Sequence, residues 1–408
     1  MKRMACTSSA PRHTTAAVPV SRLLLCWTTV FTARSISCSA WLSSTRPRIS
    51  SSKSCVIDQR ASIVAGRHRA TTTVSRMTTE PATASPLEGV GDHIRRVDMQ
   101  QAADSLVERY KNFVFDCDGV LWGGSHPIEG SLEVVKALRA AGKRTFFVTN
   151  NSSKSRRQYC RKLEGFGVHG VGVEDIVTSG SAIAAYVKYA HPDVHTVYMV
   201  GEDGLEEELG MVGLRVAKEE ERPAQGMTED EFREAEQASD SEVGAVVVGL
   251  DTCFGFRQMC MASAYIQRGA HFIGTNPDVA DRVGSLLMPG TGPILASIQN
   301  ASGVTPVVVG KPNPLLIRRL MDENNLDAAE TLMVGDRLDT DIMFGNAGGI
   351  SSVLVLTGVS EIGDVTGLPP GGASTPTYLL EKLGDLLPAA VAAEEAAAAA
   401  TMGAVSRI

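Results

Sequence analysis

Two aspartates separated by one residue follow an apolar run in the stretch FVFDCDGV. Asp116 and Asp118 therefore stand at the end of a segment whose composition favours a strand buried on both faces. Unpaired carboxylates are costly beside a buried strand, so this pair needs a partner or a function. Carboxylates in such a place can hold a cation, attack an electrophile or transfer a proton.

Three further segments place polar residues directly after an apolar run. They are Thr149 and Asn150 after RTFFV, Lys311 after VVVG, and Asp336 with Asp341 in MVGDRLDTD. In an open parallel sheet, the carboxyl ends of the strands face one crevice, where ligands bind. Carboxylates can hold a hard cation such as Mg²⁺, and a lysine, a hydroxyl and backbone N–H groups can hold a phosphate. Each segment alone also fits a turn, a helix cap or a surface lysine, but the four together predict a phosphate site with a metal.

The elements that must position these residues alternate between apolar strands and amphipathic helices from about Asp92 onward. This alternation indicates βαβ units and a parallel sheet, hence an α/β fold. A stretch with its own strands and helix interrupts the series, and we expect it to be an inserted α/β domain. The expected organisation is a presequence at 1–79, a first core part at 92–180, a cap at 181–288, a second core part at 289–388 and a low-complexity tail at 389–408.

The N-terminal segment differs from the rest of the chain in charge. From Met1 to Thr79 there are twelve Lys or Arg and one acid, Asp58, whereas the remainder carries 27 basic and 45 acidic residues. An acid-poor segment rich in Arg and Ser is typical of an organelle transit peptide, and a disordered tail of biased composition is the alternative. We expect location in the plastid stroma, with the mitochondrion or the cytoplasm as alternatives.

Composition also excludes several classes of partner. The acidic body has no cluster of Arg and Lys interleaved with aromatics, so we expect no nucleic-acid binding. The apolar run LLLCWTTVF is too short to span a bilayer, and we expect no membrane partner. The cysteines Cys117, Cys160, Cys253 and Cys260 lack the spacing of a metal site and are expected to be reduced thiols.

The four segments resemble the motifs of the haloacid dehalogenase superfamily of phosphohydrolases. The matching stretches are DCDGVLW, FVTNNSSKSR, VVGKPNP and MVGDRLDTDI, and the likeness extends over roughly Val107 to Leu387. Within the superfamily they resemble the branch that contains 4-nitrophenylphosphatases, phosphoglycolate phosphatases and pyridoxal phosphatases. The resemblance implies a Rossmann-like parallel-sheet core with an α/β cap inserted between the second and third motifs, and a homodimer through the cap is a further expectation.

The resemblance also implies catalytic roles for the first pair of aspartates. Asp116 would be the nucleophile that forms an aspartyl-phosphate. Asp118 would protonate the leaving oxygen and then accept a proton from the water that hydrolyses the acyl-phosphate.

The remaining motif residues would hold the cofactor and the phosphate. Mg²⁺ would be bound by the carboxylates of Asp116 and Asp336 and by the backbone carbonyl of Asp118. Asp341 would hold water around the metal rather than bind it directly. Thr149, Asn150 and Lys311 would bind the transferring phosphoryl group.

The expected substrate is a small phosphorylated metabolite selected by the cap. A plastid member of this branch would hydrolyse 2-phosphoglycolate to glycolate and phosphate, and Arg215, Arg257 and Arg268 are cap candidates for binding its carboxylate. The alternatives within the class are pyridoxal 5′-phosphate and a broad range of small esters such as 4-nitrophenyl phosphate. A phosphotransferase and a non-catalytic binding module are the alternatives from other classes.

Overall fold

The computed structural model describes residues 90–91, 93–96, 100–218, 227–237, 239–283 and 286–405. They belong to one compact unit, Ala84–Ile408. The expected presequence at 1–79 lies outside the described residues, as do residues 219–226 of the acidic connection inside the predicted cap. Within the described part of the chain, no helix combines the length and the apolar character needed to cross a bilayer.

Strands and helices alternate along the chain, as the apolar pattern predicts. The strands are β1 (Arg95–Arg96), β2 (Asn112–Phe115), β3 (Trp122–Gly123), β4 (His126–Pro127), β5 (Arg144–Thr149), β6 (Ile176–Thr178), β7 (Thr196–Val200), β8 (Arg215–Ala217), β9 (Val243–Val248), β10 (His271–Gly274), β11 (Ala280–Val283), β12 (Leu286–Pro289), β13 (Val307–Val308), β14 (Thr331–Gly335), β15 (Ser351–Val355) and β16 (Tyr378–Leu380). The helices are α1 (Gln100–Arg109), α2 (Ser131–Ala140), α3 (Arg156–Gly165), α4 (Ser179–Ala190), α5 (Asp203–Met211), α6 (Glu229–Gln237), α7 (Phe256–Gln267), α8 (Thr291–Ser302), α9 (Leu315–Asn324), α10 (Met343–Ala347), α11 (Ile362–Val365) and α12 (Leu387–Val405).

The core is a seven-stranded sheet in the order β1-β16-β15-β14-β2-β5-β6, and all neighbouring strands in it are parallel. All four residues of the central strand β2 are buried, which explains why its sequence is a continuous apolar run. The register places Phe115 beside Val334 on one neighbour and Phe147 on the other. These three strands therefore end close together, and the predicted α/β fold with a parallel-sheet core is confirmed.

The C-terminal helix is part of the core rather than only a tail. Ala389 and Ala390, at the start of α12, are buried in the same cluster as Leu138 of α2 and Phe113 of β2. The predicted boundary between the core and the tail, after Pro388, is therefore too early. Alanine-rich composition indicates a helix but does not show which of its turns finds a packing partner.

A second, five-stranded parallel sheet has the order β13-β10-β9-β7-β8. It lies between β6 and β14 of the core, where the insertion is predicted. Val307 of β13 pairs with Ile273 of β10, so this sheet extends beyond the predicted boundary at Met288. The run VVVG was expected to be a core strand; a short apolar run shows strand character but not the sheet that it joins.

The loop that follows β5 leads directly into α3. The Ser155 hydroxyl accepts a hydrogen bond from the Gln158 backbone N–H at 3.2 Å, and the Gln158 side chain accepts one from the Ser155 N–H at 2.7 Å. This capping box sets the start of the helix. The residues between Thr149 and Ser155 are thereby held between a sheet edge and a helix N-terminus.

Candidate active site

The carboxyl ends of the central core strands bring together carboxylates that are far apart in the sequence. Asp116 follows β2, and Asp336 follows the neighbouring strand β14. Asp341 lies in the π-helical turn Leu338–Ile342 that comes next. Each of these three residues has a carboxylate oxygen within 4.8 Å of those of the other two, and all three are buried. The crevice expected from the parallel strands is therefore present.

Lys311 lies among these carboxylates. Its Nζ donates hydrogen bonds to Asp116 Oδ1 at 2.5 Å, to Asp341 Oδ1 at 2.7 Å and to the Val148 carbonyl at 3.0 Å. Burial alone would lower the pKa of Lys311, but the charges of Asp116 and Asp341 outweigh it and raise that pKa above its ordinary value. Lys311 is therefore a fixed cation whose side chain is only 2% exposed.

Asp341 is held by protein groups at both oxygens. Oδ1 accepts from Lys311, and Oδ2 accepts from the backbone N–H groups of Asp336 and Arg337, each at 3.2 Å. The carboxylate thus shapes the loop that carries Asp336. These contacts favour a role in orienting the cluster over direct metal ligation.

Asp336 is oriented by a loop that sequence reasoning did not assign to the site. Its Oδ2 accepts a hydrogen bond of 2.7 Å from the Val359 N–H. A Cβ on Gly358 would lie 1.8 Å from that oxygen, and one on Gly119, where φ is +87°, would lie 2.6 Å from it. Both glycines are therefore needed for the close approach of the backbone. The signal in the sequence was Gly358, the glycine that ends the stretch SSVLVLTG.

The cluster brings three carboxyl groups around a single ammonium group. Burial raises the pKa of Asp116 to about 8; Lys311 opposes this shift and Asp341 adds to it. Burial, followed by the charges of Asp341 and Asp116, also raises the pKa of Asp336 well above its ordinary value. Three carboxylates and one ammonium leave room for another positive charge, and their oxygen donors fit a hard divalent cation.

Asp118 is not one of the three clustered carboxylates and, unlike them, has an exposed residue surface. Its surface is open to solvent, although protein atoms surround much of the side chain. This partial loss of solvation raises the pKa of Asp118, while Lys162 and the hydrogen bond from Trp122 oppose the shift. The indole Nε1 of Trp122 donates to Asp118 Oδ1 at 2.9 Å. A carboxyl group in this position can exchange a proton with a group bound in the crevice.

Thr149 and Asn150 lie at the expected strand end, where the Asn150 side chain is hydrogen-bonded to protein groups. Its Oδ1 accepts from the Lys311 N–H at 2.8 Å, and its Nδ2 donates to the Lys311 carbonyl at 3.1 Å and to Asp278 Oδ2 at 3.0 Å. The amide therefore holds the backbone of Lys311 in place. The Thr149 hydroxyl accepts from the Asn151 N–H at 3.1 Å, which shapes the turn after β5.

A buried ion pair joins the inserted domain to the core beside this turn. Glu208 of α5 is fully buried, and its carboxylate accepts from the Arg156 N–H at 2.7 Å and from Arg156 Nε and Nη2. Gly204 of α5 packs so closely that a Cβ would lie 2.5 Å from backbone atoms of Lys154. The segment between Thr149 and α3 is thus the surface on which the insertion rests.

Two of the three predicted substrate-binding arginines of the insertion are paired with its own acids. Arg215 forms an ion pair with Asp240 at 2.6 Å, and Arg268 forms one with Glu236. Neither guanidinium is presented as a receptor for a substrate carboxylate in this arrangement. Sequence alone could not show this, because the pairing acids lie far from the arginines along the chain or across a loop.

Comparison with known proteins identifies the family. Residues 113–215 match the haloacid dehalogenase-like hydrolase family, and residues 308–386 match a second, related hydrolase family of the same superfamily. The chain is 38% identical over 290 residues to phosphoglycolate phosphatase 1A, chloroplastic, of Arabidopsis thaliana, covering 70% of this chain and 78% of the relative. It is 36% identical to the 4-nitrophenylphosphatase of Schizosaccharomyces pombe, covering 69% and 94%.

A solved structure gives the same result for the fold. The glycerol phosphate phosphatase of Mycobacterium tuberculosis in complex with magnesium superposes with a TM-score of 0.58 at 31% identity, covering 69% of this chain and 77% of that one. The chain therefore belongs to the haloacid dehalogenase-like hydrolases, in the branch that contains the 4-nitrophenylphosphatases and the phosphoglycolate phosphatases, as its motifs predicted.

Proposed function

We propose that the chain is a Mg²⁺-dependent phosphatase that hydrolyses 2-phosphoglycolate to glycolate and phosphate through an aspartyl-phosphate. The observation that carries the reaction type is the contact between Asp116 and Lys311 at 2.5 Å, beside the carboxylates of Asp336 and Asp341. A buried carboxylate held against a cation is placed for attack on a dianionic phosphate that would otherwise be repelled.

The divalent cation would be held by Asp116, Asp336 and the backbone carbonyl of Asp118. The three carboxyl groups clustered around one ammonium support this assignment, and a related phosphatase is known in complex with magnesium. When bound, the cation neutralises charge on the phosphoryl group and keeps Asp116 ionised.

The residues of the chain supply the remaining steps. Asp116 Oδ attacks phosphorus as the bond to the leaving oxygen breaks, and Asp118 gives its proton to that oxygen, which departs as an alcohol. Asp118, now ionised, removes a proton from water; the oxygen attacks phosphorus, the acyl-phosphate bond breaks, and phosphate and the Asp116 carboxylate are released. Lys311 stabilises the negative charge of the phosphoryl group in both steps.

The choice of 2-phosphoglycolate rests on the 38% identity to a chloroplastic phosphoglycolate phosphatase and on the acid-poor N-terminal segment. The second candidate is a broad small-ester phosphatase, which the 36% identity to a 4-nitrophenylphosphatase favours. Pyridoxal 5′-phosphate is the other ester predicted from the motifs, and the homodimer through the cap also stays a prediction.

The test is a phosphate-release assay with purified protein, with and without Mg²⁺. We expect kcat/KM for 2-phosphoglycolate to exceed those for pyridoxal 5′-phosphate, glycerol 3-phosphate and 4-nitrophenyl phosphate. A higher kcat/KM for any of these esters would contradict the proposed substrate. Release of phosphate without an acceptor alcohol would exclude a phosphotransferase, and absence of turnover on every ester would support a non-catalytic module.

Plastid location is proposed on the same two observations. The test is expression of residues 1–79 fused to a fluorescent protein. We expect the fusion to enter plastids, and import into mitochondria or retention in the cytoplasm would favour the alternatives.

A further inference from the structure

We propose that Trp122 is a positioning residue for proton transfer by Asp118, and that one face of α3 holds it there. This inference rests on the proposed phosphatase function and adds residues to it. The indole Nε1 donates a hydrogen bond of 2.9 Å to Asp118 Oδ1, and the Trp122 side chain is fully buried. An indole N–H is a donor only, and an unprotonated carboxyl oxygen is the better acceptor, so this hydrogen bond favours Oδ1 without a proton.

The hydrogen bond decides which oxygen of Asp118 carries the proton. With Oδ1 accepting from the indole N–H, the proton that goes to the leaving oxygen is favoured on Oδ2. In the first step the phosphorus–oxygen bond of the ester breaks, that proton moves to the leaving oxygen, and Asp118 remains as a carboxylate. In the second step a water proton returns to Oδ2. Trp122 itself gains and loses no proton. Its role is to orient the Asp118 carboxyl group in both steps.

The indole is held by side chains that share one face of α3 and its C-terminal end. Lys162 Nζ lies 3.7 Å from the centroid of the Trp122 ring and donates to the Gly124 carbonyl at 3.3 Å. Tyr159 stacks on the same ring at a centroid distance of 6.2 Å, and Phe166 packs against it at 5.8 Å. Residues 159, 162 and 166 are spaced by three and four positions, which places them on one side of a helix.

The same helix begins in the loop that carries the other half of the site. Residues Thr149–Ser155 join β5 to the first turn of α3, and the capping box fixes that junction. The orientation of Asp118 is therefore tied, through Trp122 and α3, to the loop after β5. A tryptophan that only filled the core would need neither the hydrogen bond to an open carboxyl group nor a lysine over its ring.

Esters with different leaving groups distinguish a positioning role of Trp122 from a packing role. Departure of an alkoxide requires a proton from Asp118, whereas 4-nitrophenolate is stable enough to leave without one. General acid catalysis contributes typically about 10²–10⁴-fold. The parameter to compare is kcat/KM, because it reports the steps up to departure of the leaving group.

The experiment compares Trp122→Phe with wild type on an alkyl ester and on 4-nitrophenyl phosphate, using full-length protein and Mg²⁺. Phenylalanine retains an aromatic ring and loses the N–H. We expect kcat/KM to fall at least about tenfold more for the alkyl ester than for 4-nitrophenyl phosphate. Equal losses on both esters, or no loss on either, would overturn the proposal.

Leu138→Val is the matched control, since it removes packing from a buried core residue of α2 and leaves Trp122, Tyr159, Lys162 and Phe166 unchanged. It should change kcat/KM for both esters by the same factor. Lys162→Met keeps an apolar side chain over the ring and removes the ammonium, and it should show the same preference as Trp122→Phe. If Trp122→Phe does not fold, Lys162→Met replaces it in the comparison. Equal losses of kcat/KM on the two esters in Lys162→Met would then overturn the proposal.

The alkyl ester is chosen so that two failures can be told apart. If wild type hydrolyses glycerol 3-phosphate but not 2-phosphoglycolate, the proposed substrate is wrong, and the comparison is made on glycerol 3-phosphate. The preference of Trp122→Phe between alkyl and aryl esters then still decides the role of Trp122.

Discussion

Lys311 and Asp341 form an ion pair of 2.7 Å in which neither side chain is more than 2% exposed. The same ammonium reaches Asp116 at 2.5 Å, so a residue after the insertion joins the acids of two neighbouring core strands. Lys311 therefore has a structural role as well as the proposed catalytic one, and the two can be measured separately.

Replacing Lys311 by methionine should lower the free energy of unfolding and abolish phosphate release. The variant leaves Asp116 and Asp341 buried without their cation, and breaking a buried pair costs about 3–5 kcal/mol. Chemical denaturation in EDTA measures this loss without a metal. Lys111→Met is the control, because Lys111 pairs with Glu330 while 67% exposed, and it should cost no more than about 1 kcal/mol. Similar small losses in both variants would contradict the structural role.

Asp116→Asn should abolish turnover and change how stability depends on pH. Burial raises the pKa of Asp116 from 3.8 to about 8, so the folded protein without metal binds this proton more tightly than the unfolded chain. Wild type should therefore lose stability as pH rises from about 4 to about 8, and the asparagine variant lacks that titration.

The measurement is Tm in EDTA at about pH 5 and about pH 8. The Tm of Asp116→Asn should rise relative to wild type between these values. Asp327→Asn is the control. Asp327 is an exposed helix cap, and asparagine can also accept the hydrogen bond from the Ala329 N–H, so the Tm of this variant should change with pH as that of wild type does. A constant difference between Asp116→Asn and wild type would count against burial as the cause.

Gly358→Ala should remove metal binding without altering any carboxylate. The added Cβ would lie 1.8 Å from Asp336 Oδ2, so either the loop or Asp336 must move. We expect Mg²⁺ to stabilise wild type against unfolding, by about 2.7 kcal/mol at a hundredfold excess over Kd, and to have little effect on this variant. The rate of phosphate release should fall as well, because a displacement of about 1 Å at a reacting group can cost about 10²-fold in rate.

Gly363→Ala provides the control for that prediction, because a Cβ there meets nothing within 4 Å. It should keep both the Mg²⁺-dependent rise in Tm and the activity. A Gly358→Ala protein with the wild-type Mg²⁺ response would show that Asp336 is not held by this close approach.

Glu208→Gln should weaken the junction between the insertion and the core. The change removes the charge that faces Arg156 in a site where Glu208 is fully buried, at an expected cost of about 3–5 kcal/mol. Denaturant unfolding measures the cost, and KM for the ester reports any displacement of the loop after β5. Glu207→Gln, which alters a partly exposed pair of 3.7 Å with Arg157, should stay within about 1 kcal/mol. Equal effects would show that the buried pair does not hold the junction.

Much of the site can be predicted from the sequence because the site residues directly follow strands. Asp116, Thr149 and Asp336 each come at the end of an apolar run, and parallel strands of one sheet put such ends together whatever their distance in sequence. The α/β fold and the insertion before Lys311 followed from the same periodicity.

Other features depend on partners that no local pattern specifies. The Asn150 amide binds the backbone of Lys311 and the carboxylate of Asp278, and the position of the Asp336 carboxylate depends on Val359 and Gly358. The same applies to Val307 and Val308. Their apolar run predicts a strand but not which sheet that strand joins.

The sequence by itself determined the fold class and the residues at the strand ends, because strand and helix periods are local properties of the chain, and its four motifs indicated the family by resemblance. Only the tertiary structure decided what each side chain touches: that Asn150 holds Lys311, that Trp122 binds Asp118, and that α12 packs into the core. Hydrogen bonds and ion pairs between distant residues require a geometry within tenths of an ångström, and that geometry exists only once the sheets have packed.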